Sequence, residues 1–184
     1  RRRGDELEAE LARRVAPLAE QRRAARATPA DLAALLPEAA ALVVAEPLAV
    51  ALHAVNLAGS IPDRVLLLGF GPIGALVHTE LLRRRPDVAV TVVEVHEPRT
   101  QLARAMGADV VEWAHDTWPL VIDAAGYHGS LNQALTAVAI AGTVVLVGIG
   151  HHKEEVLPQH LVERGVTLRG SHGFTTELSD AVAL

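Results

Sequence analysis

Short hydrophobic runs alternate with segments of helical spacing from about residue 64 to residue 184. Each run holds three to seven residues, is rich in Val and Leu, and is flanked by glycine, proline or charged residues. Such runs are typical of strands that are buried on both faces of a sheet. The pattern predicts six strands, at Val65–Leu68, Val88–Glu94, Val110–Glu112, Leu120–Ala124, Thr143–Val147 and Val166–Arg169.

Amphipathic segments fill most of the intervals between these runs. Apolar residues recur there at spacings of three and four, which indicates helices that cover a sheet. The alternation predicts parallel pairing, and therefore an α/β fold with a doubly wound, six-stranded parallel sheet. The helices are predicted at Pro72–Arg85, Arg99–Met106 and Ser130–Ala139, with a shorter one near Pro158–Glu163.

The connection between Glu112 and Leu120 is too short to contain a helix. About eight extended residues reach roughly 26 Å, which is barely enough to return to the start of a neighbouring strand. We therefore expect an extended crossover loop, held down by Trp113 and Trp118.

The N-terminal part of the chain has a different character. Residues 1–36 are charged and alanine-rich, and they predict a helical extension ahead of a domain formed by residues 37–184. An apolar stripe at helical spacing in this extension either docks on a partner protein or a second copy, or covers the domain's own core. The stripe consists of Leu7, Leu11, Val15 and Leu18.

Composition narrows the function classes. Half of the residues are hydrophobic, the net charge is −5, and the chain contains no cysteine. This balance argues against nucleic acid as the main partner and excludes a Cys-based zinc site within the chain. No apolar run approaches the roughly 18 residues of a transmembrane helix, so we expect no membrane partner. The absence of cysteine fits a reducing compartment, and we expect a cytoplasmic protein.

A glycine-rich turn follows the first predicted strand. In this turn Gly69 allows a tight bend, Gly71 allows a phosphate to approach the backbone, and Gly74 allows the helix to pack closely on the strand. Free amides at the helix start attract a diphosphate. The alternative is a purely structural turn, but the strand, turn, helix order favours a dinucleotide site. The predicted contact residues are Gly69, Phe70, Gly71, Pro72, Ile73 and Gly74.

An acid ends the second predicted strand, twenty residues after Gly74. At that place the carboxylate of Glu94 would accept hydrogen bonds from the 2′- and 3′-hydroxyls of a ribose and repel a 2′-phosphate. NAD is therefore expected over NADP. Arg99 follows five residues later and either stacks on the adenine, touches the ribose or is simply exposed.

Two later strand ends open on the same crevice. The segment Asp123–Gly126 ends the fourth predicted strand, and Val147–Gly150 ends the fifth. Parallel strands of this arrangement place the nicotinamide half of a dinucleotide at these ends. The alternative is ordinary strand-to-loop glycines. The predicted contact residues are Ala125, Gly126, Val147, Gly148 and Ile149.

Several longer segments carry a family resemblance. They are Glu46–Val55 leading into Asp63–Gly74, then Leu102–Asp109, Ala141–Gly148 and Val166–Ser171. Together they resemble the cofactor-binding (Rossmann) domain of the medium-chain, zinc-dependent alcohol dehydrogenases, and most closely the polyol branch of sorbitol, threonine and butanediol dehydrogenases. The resemblance covers about Pro37 to Leu184.

The resemblance implies an NAD-binding oxidoreductase that passes hydride between the nicotinamide and an alcohol or ketone. It assigns Glu46 to the catalytic zinc, as a ligand or as the partner of its bound water; otherwise Glu46 is a helix-start acid, with Pro47 at the first helical position. In the family a separate catalytic domain supplies the main zinc ligands, and the chain holds no counterpart of it. The family also pairs through the last strand of this domain, here Val166–Arg169.

The alternative to an enzyme is a catalytically inactive dinucleotide-fold module that docks on a partner protein through its N-terminal helices. A third reading is a cofactor domain that borrows a catalytic domain from another polypeptide. Two histidines are a separate candidate: His151 and His152, with Glu154 and Glu155 beside them, form either a substitute metal or proton-transfer site or a solvated loop. Ser130 reads as a helix cap and not as a nucleophile, because no base is placed beside it.

Overall fold

The computed structural model describes residues 38–114 and 117–184, with side chains from residue 45 onward. The predicted N-terminal extension and its apolar stripe lie outside these residues, and the boundary at residue 37 stays a prediction. Along the described residues, the elements are α1 (Glu38–Ala58), β1 (Arg64–Leu68), α2 (Pro72–Arg84), β2 (Ala89–Val93), α3 (Glu97–Ala105), β3 (Asp109–Val111), β4 (Trp118–Asp123), α4 (Ser130–Ala137), β5 (Val138–Leu146), α5 (Pro158–Arg164), β6 (Thr167–Gly170) and α6 (Glu177–Ala183).

The six strands form one sheet in the order β3-β2-β1-β4-β5-β6. Every neighbouring pair is parallel. The chain therefore starts in the middle, winds to one edge, returns to the centre and winds to the other edge. This arrangement confirms the predicted doubly wound sheet, and it brings the carboxyl ends of β1 and β4 together at the point where the strand order reverses.

Alternation along β1 divides the core into two layers. Val65 and Leu67 pack with α1 and α2, while Leu66 and Leu68 pack with α4 on the opposite face. All four side chains are fully buried. Because successive side chains of a strand point to opposite faces, a single apolar run supplies both layers.

The prediction that a helix begins at Glu46–Pro47 is wrong, because α1 already begins at Glu38 and contains Pro47 in its interior. A proline there costs about 3 kcal/mol, since it removes a hydrogen bond and crowds the preceding turn. Neighbouring side chains such as Leu48 and Leu52 are buried in the layer shared with α2 and α6. Each contributes about 1.5–3 kcal/mol, so packing outweighs the proline.

The β3–β4 connection contains no helix in its described part, as expected. Trp118 is buried at the start of β4, and the guanidinium of Arg64 packs over its ring at 5.1 Å. Trp113, however, is 52% exposed, so the expectation that both indoles hold the loop down is wrong for this residue. Trp113 follows β3, which lies at the edge of the sheet.

The fifth strand is longer than predicted. It begins at Val138, directly after α4, and not at Thr143. Val138 is fully buried and pairs with Trp118 across the sheet, after which the register shifts before Leu120. The predicted helix therefore ends two residues early, at Ala137, because β-branched Val138 gains more from the sheet than from another helical turn.

No helix within the described residues is long and apolar enough to span a bilayer.

Candidate dinucleotide-binding site

The turn between β1 and α2 depends on two glycines for its shape. Gly69 has a φ of +84°, and a Cβ built there would lie 2.9 Å from the Cβ of Ala125. A Cβ on Gly74 would lie 2.2 Å from the carbonyl oxygen of Gly69. Both contacts are shorter than real Cβ atoms make, so helix α2 can approach the turn this closely only with glycine at these positions.

Gly71 lies in the opposite environment. A Cβ built on this residue meets no atom of the described chain within 4 Å, so the space in front of the backbone is open. Gly71 is the N-cap of α2 and Pro72 is its first residue. The amide of Ala75 already donates to the Gly71 carbonyl, whereas the preceding amides have no intrahelical acceptor. No acidic residue stands in the first turn, so the positive end of the helix faces the open space.

Phe70 supports the turn from the core side. Its side chain is 1% exposed and packs edge-on against His78, with ring centroids 5.6 Å apart. Neither ring nitrogen of His78 has a hydrogen-bond partner. Burial lowers the pKa of His78 to about 4, so the imidazole is neutral at neutral pH. Of the predicted contact residues in this turn, Phe70 therefore supports the site from within the core.

Glu94 lies one residue beyond β2 and is 8% exposed. Its Oε2 accepts a hydrogen bond from the amide of Phe70 at 2.9 Å, which ties the acid to the glycine turn. Its Oε1 accepts from the amides of Val95 at 2.8 Å and His96 at 2.9 Å. A carboxylate offers about four acceptor positions, and three are already used. The geometry thus leaves about one position, on Oε2, for a ribose hydroxyl.

The structure also places Arg99 near this corner. It is the third residue of α3 and is half-buried, and its amide donates to the carbonyl oxygen of His96 at 2.9 Å. The three predicted components of the adenosine half, namely the glycine turn, Glu94 and Arg99, therefore come together around the carboxyl ends of β1 and β2.

A buried acid organises the carboxyl end of β4. The Oδ1 of Asp123 accepts from the amides of Ala125 at 2.9 Å and Gly126 at 3.2 Å, and its Oδ2 accepts from the Ser130 hydroxyl at 2.7 Å. Asp123 is 2% exposed. The reading of Ser130 as a helix cap is wrong, because Gly129 is the N-cap of α4 and Ser130 turns inward to Asp123. Sequence reasoning missed the role of Asp123.

The two later strand ends contact each other. A Cβ on Gly126 would lie 2.8 Å from the carbonyl carbon of Gly148, and a Cβ on Gly148 would lie 2.4 Å from the amide nitrogen of Gly126. Val147 is nearly buried, whereas the Ile149 side chain is 82% exposed. The glycines therefore allow these turns to pack on one another, and their predicted close approach to a ligand stays a prediction.

The loop after β5 is fastened to the start of α4. The Oε1 of Glu154 accepts from the Gly129 amide at 2.8 Å and contacts His152 Nε2 at 3.0 Å. Burial alone would raise the pKa of Glu154, but the bonds from Gly129 and His152 hold it below its usual value. The His152 ring lies 5.1 Å from that of His128. The histidines thus belong to an ordered loop contact, which nothing in the sequence spacing indicated.

Glu46 lies on an exposed part of α1. Because Glu46 lies in the interior of α1, it is not a helix-start acid. Among the described residues, no three His, Cys, Asp or Glu side chains come together in a way that could hold a metal ion. A catalytic zinc needs three protein ligands and an open position. The described residues do not fit such a zinc by themselves, and the assignment of Glu46 to a metal stays a prediction.

A second buried acid joins the two helices at the edge of the domain. Glu177 of α6 is 4% exposed and accepts from His53 at 3.0 Å and Asn56 at 2.9 Å, both on α1. The Thr175 amide donates to its other oxygen at 2.8 Å. The bond from His53 and these amide donors hold the pKa of Glu177 well below its usual value. Glu177 therefore fixes α1, the helix that carries Glu46.

Several known proteins are similar to this chain in sequence. The chain is 30% identical over 154 residues to L-idonate 5-dehydrogenase (NAD(P)(+)) of Escherichia coli, which covers 77% of this chain and 45% of that protein. It is 33% identical over 146 residues to sorbitol dehydrogenase of Arabidopsis thaliana, which covers 67% and 40%. The chain thus spans less than half the length of these curated relatives.

Solved structures of such dehydrogenases are also similar to this chain in fold. The crystal structure of the E. coli L-idonate 5-dehydrogenase superposes with a TM-score of 0.70 at 30% identity, over 79% of this chain and 45% of that one. A Sinorhizobium meliloti protein described as a zinc-binding dehydrogenase, solved with NADP, gives 0.71 at 26% identity over 78% and 47%. The profile of the family described as "Zinc-binding dehydrogenase" matches residues 86–184. With more than half of its length matched and the glycine turn in place, the chain belongs to the zinc-binding dehydrogenase family.

Proposed function

We propose that the chain is the NAD(H)-binding part of an oxidoreductase that passes hydride between the nicotinamide and an alcohol or ketone. The open backbone at Gly71 carries the proposal, because it offers a helix start to a diphosphate beside an acid that can accept from a ribose. The polyol relatives support a small polyhydroxy alcohol as the proposed substrate class. Bound NAD would supply the hydride chemistry, while these residues bind and orient it.

The Glu94 carboxylate supports NAD over NADP. It is held by the amides of Phe70, Val95 and His96, so its charge is fixed at the end of β2, where a ribose 2′-phosphate would be repelled. The proposed contact residues remain those of the glycine turn, Glu94, Arg99 and the two later strand ends.

Zinc chemistry is proposed only together with further ligands. Glu46 would face the metal from α1, and residues beyond the described ones would supply the main ligands, since the described residues hold no three-ligand group. The same observation favours a second candidate function, a dinucleotide-fold module without catalysis that docks on a partner protein. Metal analysis together with an assay for NADH formation from polyols separates the two, because the module would bind NAD with neither metal nor activity.

Self-association is proposed through β6. All four residues of this edge strand are exposed, and one side of its backbone has no neighbouring strand within the described sheet. An open edge of this kind pairs readily with another strand. The cysteine-free composition supports a cytoplasmic location.

A thermal-shift titration of the 184-residue chain tests the cofactor proposal. NAD at one hundred times its dissociation constant stabilises a binding protein by about 2.7 kcal/mol, which raises the melting temperature by roughly 5–10 °C. Nicotinamide mononucleotide, which lacks the adenosine half, is the matched control and should give a much smaller shift. No shift with NAD, NADH or NADP at millimolar concentration would overturn the proposal.

A further inference from the structure

A cavity of about 380 Å³ opens at the amino end of the sheet. Four of the residues that line it are the first residues of the strands β1 to β4, namely Arg64, Ala89, Asp109 and Trp118. The dinucleotide crevice lies at the opposite, carboxyl ends of these parallel strands. The cavity is thus at the other end of the sheet from the proposed cofactor site, and its volume falls within the range of about 300–1,000 Å³ found for small-molecule sites.

Short side chains of β2 form the floor of this cavity. Val90 and Val92 are buried in the core, whereas Ala89 is exposed and Thr91 is half-buried on the opposite face of the strand. Thr91 is in register with Asp109 of β3, so both side chains lie on the cavity face. The floor is therefore open and largely apolar.

The two tryptophans of the chain both line the cavity. The guanidinium of Arg64 packs over the Trp118 ring at 5.1 Å and donates to the carbonyl oxygen of Thr117 at 2.6 Å. Trp113, in contrast, is 52% exposed, and no cation of the described residues lies over its ring. One indole of the cavity thus already holds a cation, and the other presents an open aromatic face to a second one.

Asp109 supplies a negative charge on the edge-strand side of the cavity. Its side chain is exposed and forms neither an ion pair nor a hydrogen bond with any other described residue. The strand spacing and the register place the Cα atoms of Asp109 and Arg64 about 12 Å apart, so these two residues stand on opposite sides of the cavity. The carboxylate is therefore available to a ligand cation.

We propose that this cavity binds a small aromatic amine, with its ring against Trp113 and the apolar floor and its ammonium group beside Asp109. Ring stacking and the attraction of a cation to an indole favour such a ligand. The carboxylate disfavours an aromatic acid, and a neutral aromatic compound gains only the ring contact. The inference does not depend on the proposed cofactor, since the cavity is lined by no residue of the glycine turn and not by Glu94.

Tryptophan fluorescence of the 184-residue chain reports on this cavity, because both indoles line it. Titration with 2-phenylethylamine should give a saturable blue shift, since the bound ring displaces water from the exposed Trp113. The expected half-point is about 1 mM for so small a ligand. 2-Phenylethanol has the same size without the charge and should bind about tenfold more weakly. No saturable shift with the amine, or equal half-points for the two compounds, would overturn the inference.

Two variants test the residues that carry the proposal. Asp109→Asn should weaken binding of the amine about fivefold and leave that of the alcohol within about twofold, because it removes only the charge. Trp113→Ala should abolish the blue shift, and the exposure of this side chain makes the fold independent of it. Asp180→Asn, at an exposed aspartate of α6 outside the cavity, is the matched control and should change neither half-point. A parent-like response to the amine in Asp109→Asn or in Trp113→Ala would contradict the proposed contacts.

Competition with adenosine monophosphate separates this cavity from the cofactor site. The nucleotide is directed to the carboxyl ends of the strands, so it should leave the half-point of 2-phenylethylamine within about twofold. Displacement of the amine by the nucleotide would show that both ligands use one site, and the inference of a second site would then fail while the cofactor proposal stands.

Discussion

The adenosine half and the nicotinamide half of the proposed site are built in different ways. At the first, the glycine turn leaves Gly71 open, and Glu94 keeps an acceptor position for a ligand. At the second, Gly126 and Gly148 pack on each other and Asp123 uses both of its oxygens internally. The difference teaches that a glycine can leave open space in front of its backbone at one strand end and allow internal packing at another.

The largest loss of stability is expected where the glycine turn meets α2. Gly74→Ala puts a methyl group 2.2 Å from the Gly69 carbonyl oxygen, so the helix must move away from the strand. We expect a loss of about 3 kcal/mol or more in the free energy of unfolding, measured by urea denaturation. Gly170→Ala, at a glycine of β6 with no positive φ and open space around it, controls for the simple addition of a methyl group. Equal losses in the two variants would contradict the close packing described for Gly74.

The second effect is a pH dependence of the free energy of unfolding, which arises from His78, the buried residue that packs against Phe70 of the same turn. The pKa of buried His78 is about 4 in the folded chain and about 6.5 when it is unfolded, so the unfolded chain binds more protons between these values. Stability should therefore fall by about 3 kcal/mol as the pH is lowered from about 6.5 to 4.

His78→Leu is the variant that isolates this effect. It keeps an apolar side chain against Phe70 and should flatten the stability curve between pH 6.5 and 4. His160→Leu, at an exposed histidine of α5, is the control and should leave the curve unchanged. A parent-like slope in His78→Leu would show that another group is responsible.

The same comparison explains how much of each half could be predicted from the sequence. The sheet, the glycine turn and Glu94 are local features, because each is a run or spacing whose physical role does not depend on distant residues. The partners of Asp123, Glu154 and Glu177 lie up to 124 positions away in the chain, and no spacing rule reveals them. The Pro47 error has the same origin, since tertiary burial of α1 outweighed a local helix-breaking signal.

A third prediction concerns the nicotinamide half. Asp123→Ala leaves the amides of Ala125 and Gly126 without their side-chain acceptor in a half-buried turn. We expect a loss of about 2 kcal/mol in the free energy of unfolding. Binding of adenosine monophosphate, which reaches only the first half, should stay within about twofold of the parent chain. A tenfold loss of that binding would show that the two halves are not independent.

The smallest expected effect is at the loop after β5. Glu154→Gln retains an acceptor for the Gly129 amide and removes the charge that faces His152. The contact is partly exposed, so we expect a change below about 1 kcal/mol. Urea denaturation at pH 6 and pH 8 measures it, with Glu155→Gln, a neighbouring acid of the same loop, as the control. A loss several times larger would mean that this loop contact governs the stability of the domain.

The most direct test of the central claim is a fluorescence titration of the parent chain and Gly71→Ala with NADH. The added methyl group meets open space in the protein, so the free energy of unfolding should change by less than about 1 kcal/mol. It would occupy the place where the diphosphate approaches the backbone, and NADH affinity should fall about tenfold or more. Unchanged NADH affinity in Gly71→Ala, or no binding by the parent chain at millimolar NADH, would contradict a diphosphate site at this turn.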